Sequence, residues 1–357
     1  MSVRRPRLVL LAVVAVVVLL MVALVAWLRP SGTGAAAAVD VLPADTLRVG
    51  YVDRSQVVEL ADGGEVDEGS EDSVRGFLSR VYEQDLTVGS ALDTSLTALA
   101  ANLGVSPLDA TWEVYGQARE SSVSVLALGD EVDLEAVEGR LADLGYEAPA
   151  DGAGEGGTWV GTPEVVAGMD PPLTPVQENL AVLADERLLV MSDAPGTVSE
   201  AVEVIRGDED SLGSVDGVDD LLAVAEDATT VAVWVGDFAC EELTMSQADP
   251  SDVEAAEALV DGVGGVHPLA GLVMAQQPDG SLGVGMRFAS SDQASADLQR
   301  RVDLAAGEAV GQGGSFADRF SVSDAYADGR MVVMDLTPVD GPFLGDLGQG
   351  PLLFATC

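Results

Sequence analysis

The chain contains no lysine, one histidine (His267), one isoleucine (Ile205), two asparagines (Asn102 and Asn179) and two cysteines in 357 residues. Each shortage removes a class of chemistry. With no lysine, no second histidine and no G-x-S-x-G elbow, the usual serine, cysteine and zinc-hydrolase arrangements cannot be assembled. One histidine and two cysteines reach four zinc ligands only if carboxylates complete the set. Aromatic residues make up 4% of the chain, few for the platforms on which carbohydrate sites lean. Glycoside hydrolysis needs only two Asp or Glu about 5 to 10 Å apart, but 60 acidic residues make the existence of such pairs uninformative. A carboxylate-dependent hydrolase is therefore the weakest function class.

All 17 basic residues are arginine. Ala, Val, Gly, Asp and Arg standing in place of Lys, Ile and Asn point to a G+C-rich bacterial genome, with halophilic adaptation the competing origin. Beyond Pro30, thirteen arginines face 60 acidic residues, a formal charge of −47. Such a surface repels nucleic acid and anionic lipid headgroups and favours cationic ligands or divalent ions. A hydrophobic content of 48% argues for a folded core in spite of the charge.

Residues 8–28 are twenty-one residues without a charge, a proline or a glycine. As a helix the run is about 31 Å long, the thickness of a bilayer's hydrocarbon core. It reads as a transmembrane anchor. Arg4, Arg5 and Arg7 precede it and only Arg29 follows closely, so the positive-inside bias places the N-terminus in the cytoplasm and the rest outside. The alternative, a cleaved signal peptide, has a small-residue site at Ala36 to Ala38. That site lies ten residues beyond Leu28, and signal h-regions are shorter, about 7 to 15 residues. The expected organisation is a cytoplasmic tip and anchor (1–29), a flexible stalk (30–41), a first half (42–226) and a second half (227–357).

The exported part reads as α+β. Leu47, Val49 and Tyr51 alternate as a strand. Leu92, Leu96, Leu99 and Leu103 line one face of a helix stopped by Gly104. Residues 112–127 read as a hairpin, and Asp133 caps a helix carrying Leu134, Val137 and Leu141. Thr197 with Glu200, and Ser251 with Glu254, have the spacing of capping boxes. At Ala228 the pattern restarts: "ATTVAVWVGD" repeats the alternation of "ADTLRVGYVD" at an offset of 184 residues. A capped helix, a hairpin turned at Asp279-Gly280, a helix over 291–306 with Ala294, Leu298, Val302 and Ala305 on one side, and two strands follow. Two similar halves, each with antiparallel sheets backed by helices, are the expectation.

Three further motifs point to little chemistry. Gly152, Gly154 and Gly157 form G-x-G-x-x-G, but a helix precedes them and a strand follows, the reverse of a dinucleotide fingerprint; 151–157 reads as a loop. Asp208, Asp210, Gly213 and Asp219 occupy positions 1, 3, 6 and 12 of an EF-hand pattern, with Leu212 at position 5 and Asp in place of the usual Glu at 12. His267, before Pro268, reads as an ordinary loop residue. Cys240 and Cys357 both fall on the exported side and are expected to pair as a disulfide.

The "LPADT" segment, followed by "VYGQ", "GYE", "TWVG" and "LLVMSD", resembles a family of uncharacterised actinobacterial proteins built as one membrane helix plus an exported domain. The resemblance implies the anchor and the compartment and no site residue. The expected function is a non-enzymatic, membrane-anchored extracytoplasmic protein of the cell envelope. It is held in the lipid bilayer through residues 8–28 and binds or scaffolds an unknown extracytoplasmic partner or ligand, without nucleic acid and without cofactor, metal or catalytic residues. A calcium-dependent adhesion module is the alternative.

Overall fold

The computed structural model describes residues 34–357 apart from 87, 151–154, 244, 246, 247, 340–343, 348 and 349. The expected anchor at 8–28 and the loop residues 151–154 lie outside the described residues. Among the described residues no helix is long and apolar enough to cross a membrane.

The chain enters with α1 (Ala35–Val39), β1 (Arg48–Asp53), α2 (Arg54–Leu60), α3 (Glu71–Glu83) and α4 (Leu96–Leu103). The expected hairpin follows as β2 (Ala110–Gln117) and β3 (Ser122–Leu128), then α5 (Leu134–Leu144), whose first turn is held by the Asp133 carboxylate accepting from the Ala136 amide. After β4 (Glu155–Val160), α6 (Pro163–Ala167), β5 (Asn179–Leu183) and β6 (Leu188–Ser192) come α7 (Pro195–Arg206) and α8 (Val218–Leu222). The later part runs β7 (Thr230–Val235), α9 (Phe238–Glu242), α10 (Pro250–Gly262), β8 (Gly271–Gln276), β9 (Leu282–Arg287), α11 (Ser291–Ala305), β10 (Phe320–Asp328), β11 (Met331–Pro338) and α12 (Leu344–Leu347).

All strands join one antiparallel sheet of eleven, in the order β10-β11-β9-β8-β7-β1-β2-β3-β6-β5-β4. The expectation of separate sheets gives way to a single one, because β1 and β7 pair with each other at its middle. Their register sets Val49 opposite Val233, the two residues that the 184-residue offset equates. Read outward from that pair, β1-β2-β3-β6-β5 is matched by β7-β8-β9-β11-β10, with β4 added at one edge.

Helices cover both faces. Val49, Tyr51, Val231, Val233, Val273 and Ala275 share one apolar cluster with Ala38 and Val39 of α1, Val198 and Ala201 of α7 and Leu221 of α8. On the other face Trp234, Met274 and Met286 pack with Leu304 of α11, while Leu126, Leu180 and Leu189 pack with α4 and α5. Strands covered on both sides lose polar alternation, and β5, β6, β8 and β9 are buried at every position.

Three expectations are corrected. The stalk ends early: Ala38, Val39 and Leu42 are buried, because an alanine-rich turn packs closely against the sheet. Thr197 and Ser251 lie inside their helices, which already begin at Pro195 and Pro250, proline at the first position being favourable there. The described end of the glycine-rich loop, Glu155 to Gly157, belongs to β4.

A buried ion pair ties α2 to β2. Arg54 and Glu113 are both fully buried and directly hydrogen-bonded. Arg54 also donates to Asp93 at 2.7 Å and to Ser90 at 2.6 Å. Glu113 accepts from the Ala91 amide at 2.7 Å and the Leu92 amide at 3.2 Å. The loop reaches it by crossing β1 so closely that a Cβ on Gly89 would meet the Tyr51 carbonyl oxygen at 2.0 Å. Burial pushes the Glu113 carboxyl up, against the pull of Arg54 and the Ala91 amide. Removing one partner strands the other charge, so Glu113→Ala is expected to cost about 3 to 5 kcal/mol. Urea denaturation should show the double variant Arg54→Met/Glu113→Leu recovering most of that loss, whereas additive losses would mean that the pair is no unit.

Candidate functional site

Helix α10 is the least embedded of the long helices. Pro250 at its start and the run of alanines favour helix, yet of thirteen residues only Ala256 is fully buried. In α11, of fifteen residues, Ala294, Asp297, Arg301, Leu304 and Ala305 are all buried. The apolar residues of α10 are not missing: Val253, Ala256 and Val260 keep the i, i+3, i+7 spacing of one face. That face borders a cleft of about 530 Å³, which they line with Met245, Thr356, Cys240 and Cys357. Glu257 and Asp261, one turn apart and both exposed, complete the lining.

The wall opposite α10 is fixed by three devices. Cys240 and Cys357, the expected pair, stand at disulfide distance with Cα atoms 5.7 Å apart across 117 residues of sequence. Leu269 lies beneath both sulfurs, its amide donating to Cys357 Sγ at 3.5 Å and its carbonyl oxygen 3.6 Å from Cys240 Sγ. Phe354 is buried against Phe316 and Phe320, with ring centroids 5.2 and 6.2 Å away. Arg301 supplies the third device. Its guanidinium donates to the carbonyl oxygens of Phe354 at 3.0 Å, Thr356 at 2.5 Å and His267 at 2.5 Å, and lies over the Phe288 ring.

Burial draws Arg301 down to about 10, against the opposing pull of Asp297, so it stays charged near neutrality. Asp297, fully buried, accepts from the His267 amide and contacts His267 Nδ1, both at 2.7 Å. It also accepts from Arg300 and Arg301.

The sequence reading of His267 as an ordinary loop residue therefore missed its carboxylate partner. It also missed Arg54, Glu113, Asp297 and Arg301 as buried charges. The available signal was the spacing of Asp297, Arg300 and Arg301 at i, i+3 and i+4. These residues turn the buried face of α11 toward Asp297 and Arg301, leaving Leu298 and Val302 only partly buried. The EF-hand pattern is spread over different elements: Asp208 and Asp210 are exposed after α7, Gly213 sits in a 3₁₀ turn and Asp219 in the first turn of α8. Among the described residues no group of three or more His, Cys, Asp or Glu is placed to hold a metal ion.

The chemistry of the cleft follows from its lining. An apolar floor can take a hydrocarbon group, and two carboxylates at the mouth can face a positive charge. No lining residue is cationic, which leaves a phosphate-bearing cofactor without a counter-charge there. No protein-family model matches the chain, and no curated protein and no solved structure matches it.

In the chain-entropy treatment a loop of this length corresponds to on the order of 4 to 5 kcal/mol, an upper figure that residual structure in the unfolded chain reduces. Cys240→Ser is expected to lower the thermal midpoint and to loosen residues 352–357. Thiol titration of the unfolded, unreduced wild-type chain should find no free cysteine; two free thiols would remove the cross-link from the account.

Proposed function

We propose that this chain is a membrane-anchored extracytoplasmic binding protein of the cell envelope, non-enzymatic, with its ligand site in the cleft beside α10. The observation that carries the binding reading is the cleft of about 530 Å³ beside α10, lined by Val253, Ala256 and Val260. A helix gains most of its stability from the face it buries; α10 buries Ala256 and packs Leu259 and Val260 against the core, while Val253 and Val260 stay partly exposed beside the cleft. Against catalysis stands the lining itself: it holds no histidine and no aromatic platform, and the imidazole of His267 is engaged by Asp297.

The anchored, exported part of the reading rests on the run at 8–28 and on the cysteine pair, which suits an oxidising compartment. Retention of the run is supported by α1. A signal peptidase cut after Ala38 would strip Ala35 and Ala38 from the core that they share with Val49 and Val233. We take the matched strand order on either side of β1 and β7 as the mark of an internal duplication, the same reading as the repeated sequence pattern. The resemblance to actinobacterial anchored proteins belongs with the same proposal.

Topology is directly testable. Protease added to intact protoplasts is expected to digest the chain beyond Pro30, and the membrane-bound protein is expected to keep the sequence of residues 8–38. Protection of the domain until the membrane is opened would overturn the orientation, and a mature protein beginning at residue 39 would overturn the anchor.

A further inference from the structure

The occupant of the cleft can be narrowed to a chemical class. This inference rests on the reading of the cleft as the binding site. We propose that it takes a small organic cation, an apolar body of ring or short-chain size carrying a single ammonium group. The body would lie on Val253, Ala256 and Val260 and the ammonium would face Glu257 and Asp261.

Size comes first. About 530 Å³ falls within the range of small-molecule pockets. Charge comes next. Glu257 and Asp261 are like charges at i, i+4, an arrangement that weakens a helix by a few tenths of a kcal/mol, and among the described residues neither is held in an ion pair. The thirteen arginines beyond Pro30 leave many carboxylates solvated, but these two stand at the mouth of an apolar cavity. There the lower local dielectric strengthens their attraction for a cation and penalises an anion. The hydrocarbon surface supplies a second requirement, since a bare inorganic cation would leave the exposed parts of Val253 and Val260 uncovered. Affinity thus needs both parts of the ligand. The rigid side of the cleft is pre-formed, because the cysteine pair and Arg301 fix Thr356 and Cys357 without help from a ligand.

The test uses the full chain in non-ionic detergent micelles and ligand-observed saturation-transfer NMR with three probes: cyclohexylmethylammonium, cyclohexylmethanol and methylammonium. The first should bind about tenfold more tightly than the alcohol, as expected for one or two partly exposed charge contacts. Methylammonium should show no saturable binding. In Glu257→Gln/Asp261→Asn the amine should fall to the affinity of the alcohol. Val253→Phe, which fills the cleft from a partly buried position on its lining, should abolish both while leaving the thermal midpoint near that of the wild type.

Equal affinity of amine and alcohol would overturn the cationic class while the cleft stood as a binding site. No binding of either would overturn the cleft reading as well. Amine binding that survives Val253→Phe, or that methylammonium matches, would assign the effect to counter-ion association with the acidic surface and overturn the proposal.

Discussion

The pairing of β1 with β7 is the constraint on which the rest of the structure depends. Without it the chain would hold two smaller sheets, each with an exposed central edge, and unpaired edges invite association. With it, one sheet passes through the boundary near residue 226 and a single apolar cluster runs beneath both sides, from Leu183 and Val190 to Val273 and Val333. The segment from α7 to α8, which links the two sides in sequence, covers that face. The register sets Val49 against its equivalent Val233, and both share one apolar cluster on the same face of the sheet.

Charge shapes the fold by where it is excluded. Most acidic side chains are left at the surface; of those taken inside, Glu113 is matched with Arg54 and Asp297 with Arg301, while Asp85 accepts from the backbone amides of Leu344 and Gly345. Arginine suits this role because its planar group can hold several acceptors at once and keeps its charge when buried. Arg301 shows the use of that geometry. It gathers the carbonyl oxygens of Phe354, Thr356 and His267 and one carboxylate, and so ties the last described segment to α11. The cysteine pair does the same work covalently a few residues away. The result is a rigid wall facing a loosely held helix, a combination that leaves room for a ligand and for α10 to adjust to it.

Local patterns were well displayed in the sequence because they need only neighbours along the chain. Asp133 capping α5, the hairpin of β2 and β3 and the leucine face around α4 all belong to that group, as does the α+β class; the Cys240–Cys357 pair, 117 residues apart, was legible only because the chain holds two cysteines. The single sheet was not legible, since nothing in the alternation of Leu47, Val49 and Tyr51 says which strand lies beside it. The helical burial of Ala35 and Ala38 was hidden by small side chains that also suit a flexible linker. Buried charges were missed for a related reason. Asp297 and Arg301 look like solvated helix residues until the segment at 352–357 is laid against them. The cleft was invisible as well: Val253, Ala256 and Val260 have the spacing of a core-facing stripe, and only the fold shows that this stripe, packed on the core at Ala256 and Val260, also borders a cleft.

The central claim is that α10 borders a cleft and is held to the core by few residues, while α11 is embedded in the core. Amide hydrogen exchange of the ligand-free chain tests this most directly, because protection reports the free energy at which each helix opens. The account predicts that the amides of Val253 to Val260 exchange through local opening, far faster than those of Ala294 to Val302, which should wait for global unfolding. Equal, global-level protection of the two helices would show that α10 is packed as core and that no cleft awaits a ligand.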